Sequence, residues 1–262
     1  MAIERIVPGT MEWEAFYANH IVRYQFAMQI LQKTNDKLLL DAACGVGYGS
    51  KFLAEQLEAV NITSIDRSEK ALSIANNNFA ASNIRFLKDD CHTLAAASKY
   101  GPFDAIVSFE TLEHLPQPLD FLKSCLYNLK SGHSLVVSTP NQLVSSPGNN
   151  LNWEYHEKEY AAAELQSLLQ EAGFVNIQMY GQQFNLKGKI KNEVRSNLNR
   201  LWSNPFVRLG RWLQAAFRGH SFEPVLKEAI DDFEIVHFAN ASESDALGMQ
   251  GPFVLIAIAE KQ

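Results

Sequence analysis

Three acids stand where apolar runs end: Asp41 after Leu38-Leu39-Leu40, Asp66 after Ser64-Ile65, and Asp90 after Phe86-Leu87-Lys88-Asp89. The first opens into Ala42-Ala43-Cys44-Gly45-Val46-Gly47-Tyr48-Gly49, a turn whose glycines let backbone approach a ligand that a Cβ would exclude. A nucleotide-type ligand at such strand ends can offer a ribose diol to one carboxylate and an exocyclic amine to another. Asp41, four residues before Gly45, further suits a ligand with an ammonium group. A dinucleotide turn wants G-x-G-x-x-G, and here Ser50 takes the third position, so that template is missed.

A second constellation follows in Phe109-Glu110-Thr111-Leu112-Glu113-His114, joined later by His156 in Tyr155-His156-Glu157-Lys158-Glu159. On a helical turn Glu110, Glu113 and His114 fall at i, i+3 and i+4 and share one face. Two carboxylates and two imidazoles converging there would suit Mn, Fe or Zn better than Mg. Alternatively His114 or His156 takes a proton as general base without any metal. In the plainer reading the acids only orient the helix or a bound cofactor, and His156 caps the following helix.

These residues need elements to place them. Met11 to Gln32 carries Phe16, His20, Tyr24 and Met28 at helical spacing. Strands are expected at Lys37–Asp41, Val60–Ile65, Ile84–Leu87, Phe103–Phe109, His133–Ser138, Val175–Tyr180, Phe233–Phe238 and Phe253–Ala259. Helices fall between them: Gly49–Leu57, a segment from the N-cap Ser68 to Asn77, Pro118–Leu129, and Tyr160–Glu171 stopped by Gly173. Asp104 reads as the cap of a turn before its strand, and Cys44 and Cys91 as small buried residues. Such alternation points to an α/β fold.

The ordered set resembles the class I S-adenosylmethionine-dependent methyltransferases from about Asn35 to Gly181. Leu40-Asp41-Ala42-Ala43-Cys44-Gly45-Val46-Gly47 looks like the family's first motif, with Ala43 where glycine is commonest. Ile65-Asp66-Arg67-Ser68 is similar to the ribose motif, and Phe86-Leu87-Lys88-Asp89-Asp90-Cys91 to the adenine motif. Phe103-Asp104-Ala105-Ile106-Val107 and Leu129-Lys130-Ser131-Gly132 resemble the fourth- and fifth-strand motifs, with His133 replacing a second glycine.

The resemblance implies a Rossmann-like, seven-stranded, mostly parallel sheet flanked by helices, its last strand antiparallel. One methyltransferase domain would span 1–262: a cap helix over 1–34, a cofactor-binding core over 35–182, a basic helical insertion over 183–230 and C-terminal strands over 231–262. The implied cofactor is S-adenosylmethionine, bound by Asp41, Ala43, Gly45, Gly47, Phe109 and Tyr24. Asp66 would chelate the ribose hydroxyls, Arg67 flank the adenine, Asp90 hold its amino group and the Cys91 N–H a ring nitrogen. Glu110, Glu113, His114 and His156 would carry catalysis, with or without a divalent metal. Their pattern looks like that of small-RNA 2′-O-methyltransferases, and E-x-x-E-H also occurs in quinone-pathway O-methyltransferases.

Glu4-Arg5-Ile6-Val7-Pro8-Gly9, His20-Ile21-Val22-Arg23-Tyr24 and Cys44-Gly45-Val46-Gly47-Tyr48-Gly49-Ser50 together are similar to bacterial methyltransferases associated with glycosyltransferases and cell-surface polysaccharide synthesis. That implies O-methylation of a sugar or glycoconjugate intermediate, with the first helix over the cofactor and Tyr17, His20 and Arg23 as contacts. Alternatives are a small phenolic or quinone-like acceptor, RNA ribose, or a cofactor-binding regulatory protein without turnover.

Lys187 to Arg218 holds eight Lys/Arg against one acid, Glu193, in a chain of net charge −6. Asn204-Pro205 divides it, with Val194, Leu198 and Leu201 on one apolar face and Phe206, Leu209, Leu213 and Phe217 on another. Trp202 and Trp212 accompany the arginines. Such faces suit the core, a second subunit in a dimer, a lid, or an anionic membrane surface. The acidic remainder argues against nucleic acid. Three cysteines without metal or disulfide spacing, no signal segment and no apolar run of ~20 residues set the expectation of a cytoplasmic protein, at most peripheral at the inner membrane face.

Overall fold

The structure is a computed structural model that describes residues 6–34, 37–149, 151, 154–193 and 230–262. Its centre is β1 (Leu38–Ala42), parallel to β2 (Asn61–Asp66) on one side and β4 (Phe103–Phe109) on the other. β3 (Ile84–Lys88) extends the sheet beyond β2, and β5 (Leu129–Pro140) beyond β4, both in parallel. β8 (Val254–Glu260) lies antiparallel between β5 and β6 (Val175–Phe184). The sheet has eight strands, in the order β3-β2-β1-β4-β5-β8-β6-β7, where seven were expected. The added member is β7 (Phe233–Phe238), which pairs antiparallel with the outer edge of β6. Without it that edge would present unpaired backbone groups.

Period-two alternation sets the faces of β1. Leu39 points with Asp41 toward α1 (Met11–Thr34) and α2 (Tyr48–Gln56), among Ile21, Ala27, Leu31 and Leu53. Leu40 and Ala42 point the other way, toward α4 (Pro118–Asn128) and α6 (Ala162–Ala172), among Phe121, Leu122, Leu165 and Leu169. Each of the buried leucine, isoleucine and phenylalanine side chains contributes about 1.5–3 kcal/mol by leaving water.

The element ends follow their chemistry. Ser68 Oγ accepts the Ala71 N–H at 3.3 Å and starts α3 (Glu69–Phe79). Gly173, at φ 102°, ends α6. The first N–H groups of α6, from Ala162 and Ala163, donate to the Asp245 carboxylate, so His156 is not that helix's cap. Asp104 also departs from expectation. It lies inside β4, accepts the Lys37 and Leu38 N–H groups at 3.0 and 2.9 Å and pairs with Lys130, pinning the start of β1.

No described helix is long and apolar enough to cross a membrane. Residues 186–193 are helical, and Lys187 and Lys191 pair with Asp231 and Asp232 just past the insertion. The apolar faces, tryptophans and arginines expected between Val194 and Arg218 lie outside the described residues.

Candidate active site

Strand order reverses around β1 and β4, and a cleft opens at their carboxyl ends. Its wall brings together Ala43 and Gly45 after β1, Asp66 and Arg67 after β2, and Asp90 and Cys91 after β3. Phe109 enters from the end of β4, Glu110 and His114 from just after it, and Tyr24 reaches in from α1. Asp41, Gly47, Glu113 and His156 do not line it.

Asp66 ties two turns together: Oδ2 accepts the Gly45 N–H at 3.0 Å and Oδ1 the Ser68 N–H at 2.7 Å. Asp90 Oδ1 accepts the His92 N–H at 2.8 Å and stands 2.9 Å from His92 Nδ1. Those hydrogen bonds hold its carboxyl below the usual range. Burial pushes the Cys91 thiol up to about 12, and the Cys44 thiol well above its usual range, so neither is a nucleophile at neutral pH.

Gly47 does not line the cleft, and its place is set by packing. It caps α2 at φ 88°, and a Cβ there would stand 2.8 Å from the Phe86 ring and 2.9 Å from Ala75. Asp41 is fully buried, accepts the Ser50 hydroxyl at 2.6 Å, and is screened from the cleft by Tyr24. Burial pushes it up to about 7, against the hydrogen bonds from Ser50 and Tyr24.

From α1, Arg23 is 1% exposed and lines the cleft with His20. Its Nη1 donates to Gln182 Oε1 at 3.0 Å, its Nη2 donates to His20 Nδ1 at 3.0 Å, and its Nε stands 3.9 Å from Glu110. Desolvation and the Arg23 cation push His20 down to about 3, so its imidazole is neutral. The pairing of Gln182 with Arg23 carries no local signal in the sequence, since the two lie 159 positions apart.

Past β4 the expected single helical face is broken. Glu110 takes a left-handed φ of 51°, and only Leu112–His114 form a helical turn. Glu110 therefore turns aside to accept the Ser138 hydroxyl at 2.8 Å, while the buried Glu113 accepts the Thr139 hydroxyl at 3.0 Å. Burial, then the Glu110 charge, push the Glu113 carboxyl well above its usual range.

His156 does join His114: their ring centroids are 4.9 Å apart, at 81°. The Glu113 carbonyl arranges this by accepting the Glu157 and Lys158 N–H groups at 2.7 and 3.3 Å. One ligand-type atom from each of Glu113, His114 and His156 lies within 4.8 Å of the others; the expected fourth, Glu110, is outside the group. His114 Nδ1 is 2.9 Å from the Tyr155 carbonyl oxygen, and His156 Nδ1 is 2.7 Å from Glu159 Oε1. Burial raises Glu159, but hydrogen bonds from His156, Ser145 and Ser146 outweigh it and hold the carboxyl below its usual range. Sequence reasoning passed over Glu159; the i, i+3 spacing from His156 was its one available signal.

A family model described as a methyltransferase domain matches residues 19–179, from α1 to β6. A Mycolicibacterium smegmatis protein named "Probable S-adenosylmethionine-dependent methyltransferase" is 32% identical over 173 residues, which is 65% of this chain and 63% of the relative's own length. A "Ubiquinone biosynthesis O-methyltransferase" of Idiomarina loihiensis is 29% identical over 62% of this chain and 72% of that protein. A solved structure from Thermotoga maritima, described as a SAM-dependent methyltransferase and possible histamine N-methyltransferase, superposes with a TM-score of 0.61. It covers 96% of this chain and 94% of the other at 14% identity, a likeness of fold alone. With that fold and family match around the strand-end cleft, the chain belongs to the class I S-adenosylmethionine-dependent methyltransferases, and S-adenosylmethionine is its cofactor.

Proposed function

We propose that this protein transfers the methyl group of S-adenosylmethionine to a hydroxyl oxygen. The observation that carries the reading is the meeting of Glu113, His114 and His156 beside the cofactor cleft, which His114 itself lines. In the transfer the acceptor oxygen bonds the methyl carbon, the carbon–sulfur bond breaks, and its electron pair leaves as a neutral thioether. The hydroxyl proton passes to an imidazole. Positioning supplies much of the rate, because the leaving group is already good. Both histidines suit proton acceptance, since each places its Nδ1 against an oxygen acceptor and so keeps its lone pair on Nε2. On the cofactor side, Asp66 serves the ribose hydroxyls and Asp90 the adenine amine.

The residues also fit a divalent cation of the Zn, Mn or Fe type, held by Glu113, His114 and His156. Such an ion would lower the pKa of the acceptor hydroxyl.

The acceptor favoured by the motifs in the first helix and the glycine turn is a sugar or glycoconjugate hydroxyl. A phenolic or quinone-like hydroxyl is the second reading, favoured by the likeness to the Idiomarina relative. The test offers both classes with labelled S-adenosylmethionine and follows methyl transfer by mass spectrometry. Transfer lost in His156→Ala, with cofactor binding kept, supports the reading; a fully active His156→Ala counts against it. Activity kept in EDTA-stripped protein, with no metal found by elemental analysis, removes the cation and leaves the imidazole route.

A further inference from the structure

We propose that Glu159 is a positioning residue of the methyl-transfer site, holding His156 in the tautomer that carries its proton on Nδ1 and its lone pair on Nε2. Glu159 is 2% exposed, and its Oε1 stands 2.7 Å from His156 Nδ1. Its Oε2 accepts the hydroxyls of Ser145 and Ser146, the latter at 2.6 Å. These donors favour the ionised carboxylate, which carries no proton and toward the imidazole can only accept. His156 must therefore donate through Nδ1, which leaves Nε2 as its acceptor atom.

The anchor of Glu159 is itself tied to the sheet. Ser145 and Ser146 belong to the turn of α5 (Gln142–Ser145), whose N-cap Asn141 accepts the Leu143 N–H. Asn141 Nδ2 donates to the Pro252 carbonyl at 2.8 Å, and the Gln142 N–H donates to the Tyr160 carbonyl at 3.0 Å. One buried carboxylate thus links the imidazole to a loop held by the end of β5 and the residues before β8. His114 differs, because a backbone carbonyl fixes its Nδ1 and no side chain is needed. Removing the outer hydrogen-bond partner of a metal-ligating imidazole typically costs about 10–100-fold in activity, and a loss of the same order is expected here.

This inference rests on the reading of His156 as an acceptor-side residue, and the experiment separates the two. Long-range 1H–15N correlation on the full-length labelled protein reports imidazole tautomers, with His156→Ala assigning the signal. At a pH where the imidazole is neutral, wild-type His156 is expected to show the Nδ1–H pattern. Glu159→Gln keeps the size of the side chain, but its amide can donate to Nδ1, so the pattern is expected to move toward Nε2–H. With the acceptor in hand, Glu159→Gln lowers kcat about 10–100-fold while the cofactor KM and calorimetric affinity stay as in wild type. A wild-type Nε2–H pattern, or an unchanged tautomer in Glu159→Gln, overturns the role of Glu159. Loss of cofactor affinity alongside kcat also overturns it, by showing that the carboxylate holds the fold rather than the ring. An active His156→Ala sinks the acceptor-side reading whatever the tautomer shows.

Discussion

The Tyr24 hydroxyl stands 3.4 Å from each oxygen of Asp41. Gly49 makes room for it: a Cβ at that position would come within 1.9 Å of Tyr24 Cζ. The acid next to the end of β1 is therefore roofed by a residue of α1, and the helix preceding the first strand supplies part of the cleft wall. The roof extends through aromatic contacts, with Tyr24 edge-on to Phe109 at 4.8 Å and to Tyr48 at 6.0 Å.

Gly49→Ala should displace Tyr24, because the colliding atoms belong to a rigid ring already packed on both sides. Overpacking of this kind costs about 1–3 kcal/mol. Thermal unfolding should show a lower Tm, and calorimetry about tenfold or weaker cofactor binding. Wild-type values for both would mean that α1 yields freely and does not shape the cleft.

Asp41 makes stability depend on pH. Its carboxyl is raised from 3.8 to about 7 by burial, so the folded state keeps a proton that the unfolded chain releases. Its contribution is complete below 3.8 and is lost as pH rises through about 7, on the order of 1.4 kcal/mol per pH unit within that window. Asp41→Asn removes the titration and keeps an acceptor for Ser50. Between pH 5 and 8 the wild-type Tm should fall relative to that variant; parallel curves would contradict the buried, protonated acid.

Ala43 holds φ 64°, the left-handed region where a Cβ costs about 1–2 kcal/mol. Ala43→Gly relieves that cost but frees the unfolded chain by about 0.4–1 kcal/mol. The net expectation is about 0.8 kcal/mol of stabilisation, read as a higher urea midpoint at unchanged m. A lower midpoint would show that the methyl group is held by packing worth more than its strain.

Asp66→Asn leaves one acceptor where the carboxylate now serves the Gly45 and Ser68 N–H groups. Hydrogen bonds to charged groups contribute about 1.5–3 kcal/mol. Cofactor binding by calorimetry should weaken about 10–100-fold with the fold retained. Equal affinity would remove Asp66 from ribose recognition.

The parts of this protein legible in the chain are those that neighbouring residues decide. An apolar run with an acid at its end makes a strand that delivers that acid to the sheet's carboxyl edge, which placed Asp66 and Asp90 correctly at the cleft. Ser68 and Gly173 start and stop their helices because capping is a matter of one side chain or one dihedral. The eighth strand was visible as a run at Phe233–Phe238, but its membership of the sheet depended on the free edge of β6.

Side-chain tasks set by distant partners were decided only in three dimensions. Spacing put Glu110, Glu113 and His114 on one face; the left-handed turn at Glu110, with Ser138 and Arg23 nearby, divided them. Gly47 has the look of a cofactor glycine, yet the Phe86 ring occupies the space its Cβ would need. The sequence by itself pointed to the cofactor, through its ordered motifs and the family they match. The tertiary structure decided which polar groups meet beside the cleft, because the Glu113 carbonyl binds the segment that brings His156 against His114, and the loop of Ser145 and Ser146 holds the carboxylate that His156 meets.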